Sequence, residues 1–127
     1  MGTHLSVGQQ STEAVLERFG AAWEAWDLDA VMDCLAEDAV FESTDPAPDG
    51  RRFHGKAAIR DLWEPMFRDT PHAEFRFEES FVSGDRGTAR WMFSWSNLDG
   101  SRGYVRGCDV LRVRDGKVVE KLSYVKG

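Results

Sequence analysis

The aspartate at position 109 has the sequence surroundings best suited to chemistry. It lies in the segment from Val105 to Val113, where alternate positions are apolar or glycine and the positions between include Arg106 and Arg112. Because side chains of a strand alternate between two faces, the carboxyl group of Asp109 should lie on the apolar side. A carboxylate there is costly unless it is paired, hydrogen-bonded or protonated. A protonated acid in a dry pocket can donate a hydrogen bond to a developing oxyanion, whereas an acid satisfied by a backbone amide, a Trp N–H or a Tyr O–H is structural.

Glu79 is a second carboxylate in an unusual position. It interrupts a predicted strand face that is otherwise formed by Phe75, Phe77 and Phe81. Either its carboxylate enters the apolar side and moves protons there, or a β-bulge near Ser80 turns it to solvent. The bulge is the favoured interpretation.

Large aromatic side chains are abundant, with five Trp and eight Phe in 127 residues. Strand spacing places Trp91, Phe93 and Trp95 on one face, and helical spacing directs a second set toward that face: Phe19, Trp23, Trp63 and Phe67. Such rings either line a pocket for a planar or polycyclic ligand or fill a core. Both hold if the inner rings form the core and the outer rings form the mouth of a pocket.

Helical spacing predicts two helices before the strands. The first is capped by Ser11 or Thr12 and runs to Trp26. The second is capped by Asp27 and extends to Leu35. Two helices joined this closely should form an angled pair.

A third helix is predicted from Lys56 to Trp63, with an apolar face that continues to Phe67. Pro65 lies within this continuation. A proline removes a helical hydrogen bond and clashes with the preceding turn, so Pro65 should kink or end the helix.

Strand signals dominate the second half of the chain. A short strand at 39–43 and a short strand or bridge at Phe53 come first, and period-two segments follow at 73–83, 87–97, 102–114 and 117–126. The turns between them are Gly84-Asp85, Asp99-Gly100 and Asp115-Gly116, the last a strong hairpin signal. Sequential hairpins form an antiparallel meander, so the order of elements predicts an α+β fold with helices on one face of the sheet.

The bulk composition indicates one domain, at residues 11–127, after a flexible tail at 1–10. The net charge is −6, and no basic cluster is longer than Arg51-Arg52. These features argue against nucleic acid and against an anionic membrane surface as partners.

The cysteine and histidine pattern excludes several classes of site. Cys34 and Cys108 are the only cysteines and no CxxC motif is present, which favours a reducing, cytoplasmic setting. The sequence shows neither a signal peptide nor an apolar stretch of about 18 residues. The histidines His4, His54 and His72 have no partner at ligand spacing, so we expect no metal and no cofactor.

Four short motifs, taken in order, resemble the nuclear transport factor 2-like superfamily, which includes the SnoaL-like polyketide cyclases and the ketosteroid isomerases. The motifs are D-L-D-A-V at 27–31, E-D-A-V-F at 37–41, F-H-G-K-A-A-I at 53–59 and D-G-K-V-V at 115–119. The resemblance extends over residues 12–125. It implies a cone, in which three N-terminal helices cover the concave face of a curved antiparallel sheet and leave a pocket there. It also implies homodimers through the outer face of the sheet.

The resemblance implies roles for individual residues as well. Asp109 matches the position at which ketosteroid isomerases carry their oxyanion-hole aspartate. Phe19 stands where those enzymes have a tyrosine, and it has no hydroxyl. The family's base follows the first strand in a D-P pair; an ungapped alignment places Ser43 there, and the local pair is Asp45-Pro46. Asp45 is the base if the loop brings it inward, and otherwise it starts a turn.

Three functions remain open at this point. An isomerase or cyclase would act by proton transfer next to a carbonyl, with Asp109 as oxyanion stabiliser and Asp45 or Glu79 moving the proton. A non-catalytic binder or dimeric accessory protein would use the same pocket for a small apolar or aromatic molecule, and a structural domain would have a filled cone. The expected pocket residues are Phe19, Trp23, Phe41, Ser43, His54, Trp63, Phe67, Trp91, Phe93 and Trp95.

Overall fold

Three helices and six strands alternate in the order that the sequence pattern predicts. The computed structural model describes residues 7–70 and 72–127, and side chains from residue 11 onward. The elements are α1 (Val7–Glu24), α2 (Leu28–Asp33), β1 (Leu35–Glu42), β2 (Arg52–His54), α3 (Lys56–Asp69), β3 (Glu74–Ser83), β4 (Arg86–Ser96), β5 (Arg102–Arg114) and β6 (Lys117–Val125). The predicted α+β class is confirmed.

Helix α1 begins at Val7, four residues before the predicted cap at Ser11 or Thr12, so that predicted start is wrong. The four added residues contain two glutamines, which favour helices, and they lack the apolar period that marks the rest of α1. The predicted tail therefore includes the first turn of a helix, and its residues 1–6 lie outside the described part of the chain.

The two shorter helices differ from prediction at their C-terminal ends. Asp27 caps α2 as predicted, since its carboxylate accepts a hydrogen bond from the Ala30 amide at 3.1 Å. Leu35 starts β1 rather than ending α2. Helix α3 continues through Pro65 to Asp69. Its buried residues, Ile59, Trp63 and Phe67, lie on both sides of the proline, and their packing offsets the lost hydrogen bond.

The six strands form one curved sheet in the order β2-β1-β6-β5-β4-β3. Neighbouring strands are antiparallel, except that β1 and β6 are parallel. Strands β3 to β6 form the predicted meander, with ends within one or two residues of the predicted ones. Strand β1 starts four residues before the predicted Ala39.

The β-bulges on β3 and β6 change which side chains face the helices. On β3 the pairing with β4 shifts by one residue between Phe77 and Glu79. On β6 the shift lies at Val119, because Val113 pairs with Val118 whereas Arg112 pairs with Glu120. A slip of one residue moves every following side chain to the other face of the sheet.

The helices cover the inner face of the sheet and enclose the core. Helix α1 packs on β3 to β6, α3 packs on β1 and β2, and α2 contacts α1, α3 and β1. The core between these layers is mostly aliphatic and aromatic, and its most deeply buried side chains include Ile59, Val31 and Val118. No helix in the described part of the chain is both long enough and apolar enough to cross a membrane.

Candidate functional site

A cavity of about 490 Å³ lies between the helices and the inner face of the sheet. Aromatic rings form most of its wall: Trp23, Phe41, Phe53, Trp63, Phe75, Trp91 and Phe93. The rings support one another, since the centroid of Trp23 lies 4.8 Å from that of Trp63 and 5.0 Å from that of Phe75. Pairs at these distances and at steep angles are favourable, so the wall is packed and rigid.

Three polar side chains, which we call the polar triad, lie at the base of this cavity: Asp109, Lys121 and Ser123. The Lys121 Nζ donates to Asp109 Oδ2 and to Ser123 Oγ, each at 2.8 Å. The Ser123 hydroxyl donates to Asp109 Oδ1 at 2.7 Å. The three hydrogen bonds close a ring, so each member fixes the other two.

Strand pairing explains how the polar triad assembles. Asp109 on β5 lies directly opposite Ser123 on β6. Lys121 is two residues before Ser123 and therefore shares its face of the sheet. The bulge at Val119 is necessary for this arrangement, because the register set by the Asp115-Gly116 turn would otherwise place Leu122 opposite Asp109.

Burial makes the Lys121–Asp109 ion pair energetically significant. Their side chains are only 7% and 4% exposed. The Lys121 Nζ also lies 5.1 Å from the ring centroid of Phe41 and 5.6 Å from that of Trp23, where the negative face of each ring stabilises a cation. Removing either charge would leave the other buried without a partner, at a cost of about 3–5 kcal/mol.

The structure changes the expected role of Asp109. The burial predicted from strand alternation is correct, since Asp109 is 3% exposed. However, its carboxylate accepts hydrogen bonds from Lys121 and Ser123, and these two residues, not Asp109, line the cavity. The charged group at the cavity surface is therefore the Lys121 ammonium, and Asp109 is its hydrogen-bonded counter-ion.

A loop at residues 43–51, the rim loop, forms one side of the cavity entrance. Ser43, Asp45 and Arg51 from this loop line the cavity. The Ser43 hydroxyl donates to the Asp45 carbonyl oxygen at 2.8 Å and accepts from the Arg51 amide at 3.0 Å. Ser43 thus holds the loop in shape. Asp45 lies at the cavity, as its predicted role as a base requires, but its side chain is exposed at the entrance.

Besides Asp109, five predicted site residues do not line the cavity. The bulge on β3 turns Glu79 to the outer face, where its side chain is 62% exposed and lies 4.0 Å from Arg90. His54 is exposed on the edge strand β2. The other three are rings that belong to the packed core or its margin, Phe19, Phe67 and Trp95.

Two cavity-lining tryptophans carry indole N–H groups without a hydrogen-bond partner. The Nε1 atoms of Trp23 and Trp91 are buried, and neither has a partner among the described residues. An unpaired buried N–H costs about 1–3 kcal/mol. No group of three or more His, Cys, Asp or Glu in residues 7–70 and 72–127 is arranged to hold a metal ion.

Sequence reasoning missed Lys121 and Ser123. Lys121 stands between Glu120 and Leu122 in a strand that ends in exposed residues, and such a lysine is usually solvated. One signal could have identified Lys121: a buried Asp109 needs a cation beside it, and a neighbouring strand can supply one. Lys117 and Lys121 are the two lysines of β6, and in an uninterrupted strand both would face outward; the bulge between them turns Lys121 inward.

Comparisons with known proteins agree with this architecture. The profile of the SnoaL-like domain family matches residues 16–121. An NTF2-like protein of unknown function from Mesorhizobium loti is 38% identical, with a TM-score of 0.82 and all of both chains covered. No match was found among curated proteins.

Two more distant structures share the fold. A putative polyketide cyclase from Xanthomonas campestris pv. campestris is 20% identical, with a TM-score of 0.77 and coverage of 94% of this chain and 93% of that one. TerC, co-crystallised with polyporic acid, is 14% identical, with a TM-score of 0.76 and coverage of 91% of this chain and 92% of the other.

Proposed function

The chain belongs to the SnoaL-like domain family within the nuclear transport factor 2-like superfamily, and on that premise we propose that its cavity binds a small, mostly apolar carbonyl compound. The observation that carries the proposal is the Lys121 ammonium, buried at the base of an aromatic cavity. The cavity volume of about 490 Å³ lies in the range of small-molecule sites.

The polar triad selects the kind of ligand atom that can bind. An ammonium has three protons, and Asp109 and Ser123 accept two of those of Lys121. The third can be donated to a ligand. Because Asp109 balances the charge of Lys121, a neutral acceptor such as a carbonyl oxygen suits the site. The rings of Trp23 and Trp91 in the cavity wall favour a ligand that is otherwise apolar.

The same geometry supports proton transfer next to the carbonyl, the chemistry of an isomerase or a cyclase. Lys121 would stabilise the enolate oxygen, since a fixed donor in a dry site strengthens as charge develops on its acceptor. Asp45 at the cavity entrance would take and return the proton. The putative polyketide cyclase and the TerC complex with polyporic acid share this fold and are consistent with such a ligand class.

A second candidate function is binding without catalysis, as an accessory protein. The observation that favours it is the exposure of Asp45 together with the position of Glu79 on the outer face. The carboxylate that is buried near the cavity, Asp109, is already paired with Lys121. Assembly as a homodimer through the outer sheet face stays a prediction under either function.

Ligand binding can be tested with 2-tetralone, a bicyclic ketone, and with tetralin, the matching hydrocarbon. We expect ¹H–¹⁵N spectra to show the indole signals of Trp23 and Trp91 shifting with both probes, and tighter binding of the ketone. In the double variant Lys121→Met/Asp109→Asn, which leaves no buried charge, that preference should fall by about 10-fold or more, because a hydrogen bond from a charged donor contributes about 1.5–3 kcal/mol. Lys126→Met, which changes an exposed lysine, is the control. An unchanged preference in the double variant would contradict the proposal.

Catalysis is tested separately by deuterium exchange at the α-carbon of 2-tetralone. If Asp45 is the base, Asp45→Asn should slow the protein-catalysed exchange while leaving binding intact. Asp49→Asn is the matched control, because Asp49 lies in the same loop and does not line the cavity. Exchange at the buffer rate in the wild type would select the non-catalytic function.

A further inference from the structure

We propose that Lys121 also reacts covalently, forming an imine with an aldehyde or unhindered ketone bound in the cavity. This inference rests on the proposed function and names its substrate class more narrowly. A carbonyl carbon whose oxygen accepts a hydrogen bond from Lys121 lies within reach of the same nitrogen. The site would then act through an iminium rather than through a hydrogen bond alone.

Lys121 differs from the other lysines in its surroundings. The chain has four lysines, and Lys121 alone is buried, at 6% exposure. Lys117 and Lys126 are exposed, and Lys56 lies at the surface of α3 with a quarter of its side chain accessible. A lysine held away from water, with a proton acceptor beside it, is a setting in which the side-chain nitrogen can act as a nucleophile.

Asp109 supplies the proton transfers that the reaction needs. An amine must lose a proton before it can attack a carbonyl, and Asp109 Oδ2 lies 2.8 Å from the Lys121 Nζ. Moving one proton along that hydrogen bond converts a buried ion pair into a neutral amine and a neutral acid.

Imine formation requires only the Lys121 amine, the carbonyl compound and the Asp109 carboxyl group. The neutral Lys121 nitrogen attacks the carbonyl carbon, and after a proton moves from nitrogen to oxygen the product is a carbinolamine. Asp109 then returns its proton to the carbinolamine hydroxyl, the C–O bond breaks, and water leaves. The product is an iminium on Lys121 with the Asp109 carboxylate as its counter-ion.

The groups around Lys121 would stabilise the iminium product as they stabilise the ammonium group. The rings of Phe41 and Trp23 lie about as close to the Nζ as a cation–π contact requires, so they would also stabilise the iminium charge. Ser123 keeps the Asp109 carboxylate in place through the hydrogen bond at 2.7 Å. An iminium acidifies the neighbouring C–H, which would serve the proton transfer proposed above.

Reductive trapping tests the proposal directly. The full chain is incubated with 2-naphthaldehyde and cyanoborohydride, and the modified lysine is located by peptide mass spectrometry. We expect Lys121 to be labelled at least about 10-fold faster than Lys126, as for a desolvated reactive amine compared with a solvated one. Lys121→Arg keeps a cation beside Asp109 but cannot form an imine, so it should lose the adduct, whereas Lys126→Arg should keep it.

Binding measured on the same samples separates the two proposals. If 2-naphthaldehyde shifts the Trp23 and Trp91 signals but Lys121 is labelled no faster than Lys126, the imine is overturned and the binding function stands. If the aldehyde neither binds nor labels Lys121, both proposals fail. Labelling of Lys121 that 2-tetralone slows in competition supports both.

Discussion

Replacing Asp109 by asparagine should destabilise the protein by about 3–5 kcal/mol, because the Lys121 ammonium would remain buried without its counter-ion. Asparagine has nearly the volume of aspartate, so the change removes a charge and opens no cavity. The two side chains are 4% and 7% exposed and 2.8 Å apart, so solvent cannot replace the lost partner without opening the site. For a domain of this size the loss corresponds to a fall in melting temperature of about 10–20 °C.

The assay is urea unfolding followed by tryptophan fluorescence, carried out as a double-mutant cycle with Lys121→Met. The double variant Asp109→Asn/Lys121→Met should be more stable than Asp109→Asn alone, since no buried charge remains. The exposed ion pair of Asp38 and Arg114 provides the control: its atoms approach to 2.7 Å, but the side chains are 66% and 55% exposed. Asp38→Asn should therefore unfold at nearly the wild-type urea concentration. The reasoning is refuted if Asp109→Asn lies within about 1 kcal/mol of the wild type, or if the two substitutions are simply additive.

Three further outcomes are expected. Gly50→Ala should lower the melting temperature and weaken 2-tetralone binding, because the new Cβ would clash with the Ser43 carbonyl oxygen in the rim loop; Gly84→Ala, at a similar positive φ with nothing within 4 Å, is the control. A hydrogen bond from Arg114 holds the pKa of Asp38 below its ordinary value of 3.8, so Arg114→Gln should raise that pKa in an NMR titration. Because the folded pKa is the lower one, any associated stabilisation is present above pH 3.8 and disappears as the pH falls through the folded pKa. Glu79→Gln should leave ligand binding and α-carbon exchange unchanged, since its carboxylate is on the outer face; slower exchange would contradict that placement.

Local chemistry explains why the strands could be predicted from the sequence. The Asp115-Gly116 turn has positive φ at both residues, as a two-residue hairpin with an Asp-Gly pair requires. The alternation around Asp109 placed its carboxyl on the buried face correctly. These features depend on residues close together in the chain, and they fixed the meander and its inner face.

The site was harder to predict because it depends on two bulges. At Glu79 the break in the phenylalanine pattern was visible, and the favoured interpretation, a bulge, agrees with the register. On β6 the bulge falls within the valine pair Val118-Val119, where neither residue is a glycine and neither breaks the apolar pattern. The inward position of Lys121 follows from that shift and from pairing with β5, which is information that the strand's own sequence does not contain.

The parallel pairing of β1 with β6 shows the same limit. Its partners are separated by most of the chain. Phe41 on β1 is the register partner of Lys121, and its ring centroid lies 5.1 Å from the Lys121 Nζ. The wall of the cavity is therefore completed by a contact that no local pattern specifies.

Stability alone does not account for the polar triad. A buried ion pair carries a desolvation cost that its own attraction barely offsets, and an apolar pair of similar volume often stabilises a fold equally well or better. Ser123 closes the hydrogen-bond ring and so reduces that cost, but it adds no apolar contact. What the triad adds is a polar group at a fixed point in a cavity whose wall is mostly aromatic. Under the proposed function, the Lys121 ammonium would select which atom of the ligand points toward the sheet, whereas an apolar cavity floor would hold the ligand by shape only.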